Sequence, residues 1–233
     1  MQTATYQQRR GQIETYFDRT ANDAWARLTS DAPVSRIRAT VRAGRDRMRA
    51  TLLSWLPDDL RGCRLLDAGC GTGALAVEAA RRGADVVAID VATSLIELAR
   101  ERTPRDLGAG SIDFRVGDML DPALGRFDHV VAMDSLIHYR AEDCVGAVSA
   151  LAVRTGRSIV FTYAPRTPAL AAMHAVGRLF PRSERAPSIQ PVAEAAMQRL
   201  LKQAPALGGW HAGRTLRIAS GFYTSQANEV RAP

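Results

Sequence analysis

The stretch MDSLIHYR, residues 133–140, sets the carboxylate of Asp134 four residues before the imidazole of His138, just after the apolar run FDHVVA. A carboxylate and an imidazole so spaced are the materials of an acid–base pair. Upstream, LLDAGCGTG, residues 65–73, puts Gly69, Gly71 and Gly73 between an apolar run and a helical pattern. Glycines there let backbone N–H groups approach a ligand at a helix N-terminus. Asp90 closes the next apolar run, DVVAID, where a carboxylate can bond both hydroxyls of a ribose. GDML closes the third, placing Asp118 and Met119 where an adenine edge and face would lie.

Two cofactors compete for this loop. Gly69, Gly71 and Ala74 also satisfy the GxGxxA pattern of dinucleotide-binding proteins. Asp67, two residues before the first glycine, favours S-adenosylmethionine, because its carboxylate can serve that cofactor's amino-acid end. Asp118 and Met119 favour it for the reason already given.

These residues need strand ends to stand on. Short apolar runs at 64–68, 85–90, 112–116, 128–134 and 158–163 alternate with helical patterns at about 73–82, 94–103 and 142–154. That alternation predicts a parallel α/β sheet. Ser94 and Glu97 read as a capping box for the second helix. Ahead of the alternation, residues 7–29 read as a helix with Ile13, Tyr16, Phe17 and Leu28 on one face, broken at Asp31–Pro33. A second helix, capped by Ser35, runs to about Leu56 with the apolar stripe Ile37, Val41, Met48, Leu52. Its other stripe, Arg38, Arg42, Arg45 and Arg49, reads first as a solvated face, with contact to an acidic ligand or anionic lipid as the alternative. After Tyr163, residues 164–191 hold a short apolar helix between prolines and read as an inserted lid. A helix at 192–204 and two strands near 211–219 and 221–229 follow, the strands forming an antiparallel hairpin at the sheet edge. The expected organisation is an N-terminal helical arm, residues 1–57, and a second unit, residues 58–233, carrying the insertion.

The chain has 233 residues, 46% hydrophobic, enough for one sizeable core. Its formal charge is +7, and Lys202 is the sole lysine among 31 basic residues. Such charge raises nucleic-acid, anionic-membrane or acidic-ligand partners. The arginines are spread along the chain with no nucleic-acid-binding motif, which argues against nucleic acid. Cys63, Cys70 and Cys144 form no CxxC pair and read as reduced thiols of a cytoplasmic protein, with no zinc or disulfide framework. The first residues lack a signal-peptide core, and no window reads as a membrane span.

DAGCGTG, the aspartate ending the second strand and GD after the third resemble the class I S-adenosylmethionine-dependent methyltransferases. That resemblance implies a Rossmann-like, seven-stranded, mostly parallel sheet with one reversed strand. It assigns Asp67, Gly69 and Gly71 to the methionine moiety, Asp90 to the ribose, and Asp118 and Met119 to the adenine. Outside the core, YFDRTANDAW (16–25), VRAGRDRMR (41–49), MDSLIHY (133–139), LFPRSERAP (179–187) and SGFYTSQANEV (220–230) resemble the magnesium-protoporphyrin IX O-methyltransferases of chlorophyll and bacteriochlorophyll synthesis. The resemblance implies methyl transfer from S-adenosylmethionine to one ring propionate of magnesium protoporphyrin IX. The products would be S-adenosylhomocysteine and the monomethyl ester. Relatives from oxygenic phototrophs carry Gly-Phe in place of Ala21–Asn22 and a tyrosine in place of Thr29, so no role of that tyrosine is implied here. Handover of the tetrapyrrole from a magnesium-chelatase subunit and peripheral contact with the photosynthetic membrane are further expectations of the resemblance.

The chemistry of such a substrate reshapes the acid–base reading. A propionate is already ionised at neutral pH, titrating near about 4.3. It needs no general base and no protein-bound metal, only alignment and exclusion of water. A strong cationic clamp on the attacking oxygen would oppose a reaction that neutralises charge, so arginine is better placed on the propionate that does not react. Arg166, Arg178, Arg182 and Arg185 of the insertion are candidates for that place. His138 is then expected as a positioning donor, Asp134 as a contact for the methionine end of the cofactor, and Tyr16 as a site residue on the arm. His129, His174 and His211 have no spacing partner and read as structural. Two other readings use the same core: a quinone-type or other small-molecule methyltransferase, and a basic RNA- or membrane-associating protein that keeps only the fold.

Overall fold

The computed structural model describes residues 3–19, 29, 35–166 and 188–233. The expectations for Ala21, Asn22, Trp25, Leu28, His174, Arg178, Arg182 and Arg185, and most of the lid insertion, lie outside these residues.

Seven strands form one sheet in the order β3-β2-β1-β4-β5-β7-β6. They are β1 Arg64–Ala68, β2 Asp85–Asp90, β3 Ser111–Val116, β4 Phe127–Ala132, β5 Thr155–Tyr163, β6 His211–Ser220 and β7 Tyr223–Arg231. The first five are mutually parallel, with Leu66 opposite Val87 on one side and Val130 on the other. β7 runs antiparallel to both its neighbours, β5 and β6, so it is the reversed strand. The reversed strand therefore lies one place in from the edge, and the edge itself is β6, mostly exposed.

Six α-helices are present among the described residues: α1 Ala4–Arg19, α2 Arg36–Ser54, α3 Ala74–Arg81, α4 Thr93–Arg102, α5 Ala141–Ala152 and α6 Glu194–Gln203. Strand alternation splits the core between the two sheet faces. Leu66, Val130, Ala132 and Phe161 pack with α1, α5 and α6. Leu65, Val86, Val131 and Val160 pack with α2, α3 and α4. Met48, Leu52 and Leu53 put the second half of α2 in that core, whereas Ile37, in its first turn, is 55% exposed.

Two local expectations change. The N-terminus of α4 is not closed by a capping box: its N-cap is Ala92, without a side-chain bond. Instead Asp18 reaches over from α1 and accepts from the Ser94 N–H and Oγ at 3.0 and 2.8 Å, satisfying orphan donors from another helix. β4 ends at Ala132, two residues before the run expected, because Asp134 takes φ +54 and leads the chain out of the sheet.

α2 approaches the hairpin through a glycine. A Cβ on Gly44 would lie 2.5 Å from Tyr223 Cδ1 and 2.9 Å from its Cγ. Alanine for glycine inside a helix ordinarily gains about 1 kcal/mol. Here overpacking reverses the sign, so Gly44→Ala should lose roughly 1–2 kcal/mol in urea unfolding. Gly11→Ala on α1, where nothing lies within 4 Å, is the control and should be neutral or stabilising.

Candidate active site

A cleft of about 570 Å³ opens at the carboxyl ends of β1, β2 and β4, where open α/β sheets place their ligands. Its floor is the glycine loop with Asp67 and Asp90; one wall is Ile13, Tyr16 and Phe17 of α1. The opposite wall is Arg38, Arg42, Arg45 and Arg49 of α2. Ser135, Ile137 and His138 close one side, and Tyr223 with the hairpin tip, Phe222, lines it as well.

The glycine loop turns under close constraint. Gly69 has φ +81, and a Cβ there would sit 2.3 Å from the Cβ of Ser135. So the loop after β1 and the turn after β4 can meet only through a glycine. Asp90 braces the same loop: its Oδ2 accepts from the Gly71 N–H at 2.9 Å and its Oδ1 from Ala92 at 3.0 Å.

Asp67 is buried, and its Oδ2 has no hydrogen-bond partner among the described residues; nor does Ser135 Oγ. Burial, and then the charge of Asp90, push the Asp67 carboxyl up to about 7, against the pull of the Ala76 N–H. Burial also raises Asp90, opposed by N–H groups of Ala92, Gly71 and Val91. Two carboxylates enclosed together ask for a cation and for donors. A ligand bearing an ammonium and a ribose meets both requirements, so these residues fit S-adenosylmethionine.

The adenine end differs in detail. Met119 lines the cleft, but Asp118 does not. Its carboxylate accepts from Tyr6 Oη at 2.9 Å, Arg10 Nη1 at 3.1 Å and the Leu120 N–H at 2.8 Å. The Tyr6 ring stacks on Tyr139, centroids 4.8 Å apart, so α1 is fastened across this end. Arg154 holds the loop from behind by donating to the Met119 and Asp121 carbonyls.

Asp134 and His138 are brought to the same cleft with different surroundings. His138 ends a 3-10 turn, Leu136–His138, and is buried against the cleft. The Asp134 carboxylate is taken by protein donors rather than left open to a ligand. It meets Arg45 at 2.7 Å, Tyr223 Oη and Ser225 Oγ at 3.1 Å each, and Thr162 Oγ1 at 3.2 Å. Burial and the charge of Asp134 raise the Tyr223 phenol, which stays a donor. Tyr16, in edge contact with Phe17, lies on the α1 wall. Thr29 lines the cleft and receives a bond from Arg102 Nη1 at 3.1 Å.

The arginine stripe divides between the two readings the sequence left open. Arg42, Arg45 and Arg49 are half-buried in a wall of the cleft, because Gly44, Met48 and Leu52 take the packing side of α2, whereas Arg38 lines the cleft but stays exposed. Arg45, Tyr223 and Ser225 escaped the sequence reading; the only signal was Gly44 amid the arginines, a small residue marking close approach. Of the insertion's arginines, Arg166 is described and is exposed. Among the described residues no group of three or more His, Cys, Asp or Glu forms a metal site, and no helix is long and apolar enough to cross a membrane.

Residues 132–232 match the family described as magnesium-protoporphyrin IX methyltransferase C-terminus, and residues 65–155 match a general methyltransferase domain. The chain is 54% identical to the magnesium-protoporphyrin O-methyltransferase of Rhodobacter capsulatus, over 97% of this chain and 98% of that one. Its fold superposes on the crystal structure of magnesium protoporphyrin IX methyltransferase from Synechocystis PCC 6803 with bound SAH, with a TM-score of 0.82 and 28% identity, covering 95% and 98% of the two chains. Similarity to a ubiquinone biosynthesis O-methyltransferase of Xanthomonas oryzae, 36% identical, covers 53% of this chain and 54% of that one.

The raised Asp67 carboxyl has a thermodynamic consequence. Between about pH 4 and pH 7 the folded, unliganded protein binds more protons at this site than the unfolded chain, so the site's contribution to stability falls as pH rises through that window. Asp67→Asn should therefore stabilise the unliganded protein at pH 8 by on the order of 2–4 kcal/mol and leave it nearly unchanged at pH 4. Denaturant midpoints at the two pH values check this; equal effects at both would show that the carboxylate is not held at the expense of the fold.

Proposed function

The chain belongs to the magnesium-protoporphyrin O-methyltransferase family, and from that premise and the geometry of the cleft we propose how its residues divide the work. It transfers a methyl group from S-adenosylmethionine to a propionate carboxylate of magnesium protoporphyrin IX, giving the monomethyl ester of (bacterio)chlorophyll biosynthesis. The observation that carries the assignment of roles is the cleft's division by charge: buried carboxylates at the glycine loop, arginines along α2.

S-adenosylmethionine supplies a methyl group on a positively charged sulfur. Asp67, through its unmet Oδ2, takes the ammonium of the amino-acid end, with Gly69 and Gly71 giving room for close backbone approach. Asp90, oriented by Gly71 and Ala92, receives the ribose hydroxyls. Met119 packs on the adenine, and Asp118 acts one step back by fixing its loop to α1. His138 donates to the attacking propionate and sets its line of approach without removing a proton. Tyr16 and Phe17 supply an apolar wall that keeps water from the reacting groups. Asp134 serves as an anchor for Arg45 and Tyr223.

The proposed setting is the cytoplasm. The net charge of +7 and the exposed Ile37 and Phe222 beside the cleft support peripheral contact with an anionic membrane. A tetrapyrrole's poor solubility in water supports direct handover from a magnesium-chelatase subunit.

Labelled S-adenosylmethionine and magnesium protoporphyrin IX test the assignment, and an unmutated protein that makes no ester would overturn it. His138→Ala should lower kcat by about a hundredfold with little change in cofactor affinity. Asp90→Ala should weaken cofactor binding by about ten- to a hundredfold. At saturation kcat should be nearly flat above pH 6, since no base titrates. Cofactor affinity should fall below about pH 7 as Asp67 takes up its proton, and calorimetry near pH 7 should detect proton release on binding. A phenol-directed enzyme would instead show kcat tracking a base near neutrality.

A further inference from the structure

The glycine loop uses up most of its own donors before a ligand arrives. The N–H groups of Gly69 and Cys70 both bond the Ile89 carbonyl, at 2.8 and 3.0 Å, and that of Gly73 bonds the Cys70 carbonyl at 3.0 Å. Gly71 donates to Asp90, and the Ala76 N–H serves Asp67. The glycines give room, and Asp67 gives a negative charge for an ammonium. The carboxylate beside that ammonium accepts only, and it still needs donors.

Ser135 stands where a donor is needed. It lines the cleft, and its Cβ lies so near Gly69 that a side chain at that glycine would collide with it. Its Oγ is enclosed and has no hydrogen-bond partner among the described residues. An enclosed hydroxyl without a partner is costly, and rotation about its one side-chain bond is enough to turn it to a ligand in the cleft. The backbone directs it there. Asp134, at φ +54, adopts a conformation that residues with a Cβ seldom take, and its carboxylate goes to Arg45, Tyr223 and Ser225. The next residue is turned to the glycine loop, so the contact with the methionine end expected of Asp134 falls to Ser135. Ser135 is also the N-cap of the 3-10 turn Leu136–His138. In such a turn residues three apart eclipse, about 6 Å along the axis. Ser135 and His138 are so spaced, and both line the cleft.

We infer that the Ser135 hydroxyl donates to the carboxylate of S-adenosylmethionine, so that a single turn holds both reactants: the cofactor through Ser135 and the attacking propionate through His138. The inference rests on the cofactor and the role of His138 proposed for this cleft. A hydrogen bond to a charged acceptor is stronger than one between neutral groups, and this one reads a group that nucleoside fragments lack. Because the two side chains share one short piece of backbone, the approach of nucleophile to methyl is set locally rather than by the packing of separate elements.

Calorimetry on the full chain compares three ligands: S-adenosylhomocysteine, its decarboxylated analogue, which keeps the ammonium, and methylthioadenosine, which lacks both groups. Ser135→Ala should weaken S-adenosylhomocysteine about tenfold or more. The other two should bind the variant as they bind the unmutated protein, within about twofold, which also shows that the fold and the nucleoside site survive. Ser135→Cys, a weaker donor, should fall between. In the methyl-transfer assay Ser135→Ala should raise KM for S-adenosylmethionine and lower kcat at saturation, with KM for magnesium protoporphyrin IX changed by less than about twofold. Undiminished affinity for S-adenosylhomocysteine would overturn the inference. So would an equal loss on the decarboxylated analogue, since the hydroxyl would then serve the ammonium or the fold. If the unmutated protein binds none of the three ligands, the cofactor and this inference fall together; if it binds them and the variant shows no selective loss, the inference falls alone.

Discussion

One buried carboxylate ties together parts of the chain that are far apart in sequence. Asp134 accepts from Thr162 on β5, from Tyr223 and Ser225 on β7, and from Arg45 on α2, with its side chain 4% exposed. A carboxylate so enclosed costs several kcal/mol unless it is paired and its lone pairs are filled. The end of β4, the reversed strand and α2 therefore form their contacts together or not at all. Everything in the cleft follows from this. The left-handed backbone at Asp134 turns the chain so that Ser135 meets Gly69 and His138 reaches the lining. The bond to Arg45 fixes the rotation of α2, and with it the facing of Arg38, Arg42 and Arg49.

The sheet was legible because a parallel strand buried on both faces writes itself as an apolar run. Leu65 and Leu66 of β1 face opposite cores, and both are fully enclosed. The pattern could not give the sheet's outer order. β6 and β7 read as an edge hairpin, but which of them pairs with β5 depends on long-range register. The capping of α4 was misread because an in-sequence Glu97 cannot be told apart from a carboxylate supplied by α1; only the fold brings Asp18 to Ser94.

For the candidate site, local signals carried well where chemistry and backbone coincide. Asp67, Gly69, Gly71, Asp90 and Met119 stand at strand ends in one cleft, as their spacing demands. Asp118 and Asp134 were harder. Each follows a strand and so lies near the cleft, yet the direction of its carboxylate is decided by partners over 80 residues away: Tyr6 and Arg10 for Asp118, Arg45 and Tyr223 for Asp134. The arginine stripe stayed undecided for a related reason. An amphipathic helix with one apolar stripe predicts which face is buried, but a helix lying across the mouth of a cleft has a third face. Gly44 against Tyr223 decides which residues occupy it.

The placement of charge also explains why Arg45 does not obstruct the chemistry. A carboxylate that attacks a sulfonium methyl loses its charge in the transition state, so a cation beside it holds back the reactant more than it helps the product. Among the described residues four guanidiniums line this cleft, and Arg45 is the one paired with the turn that carries His138. Its pairing with Asp134 neutralises it at that point, while its stem still forms the wall. The positive field along α2 is thereby weakened beside the reacting end. The same carboxylate that organises the fold thus removes an unfavourable charge from the reaction, and this second role requires its burial. An exposed Asp134 would share Arg45 with water and leave part of that charge facing the nucleophile.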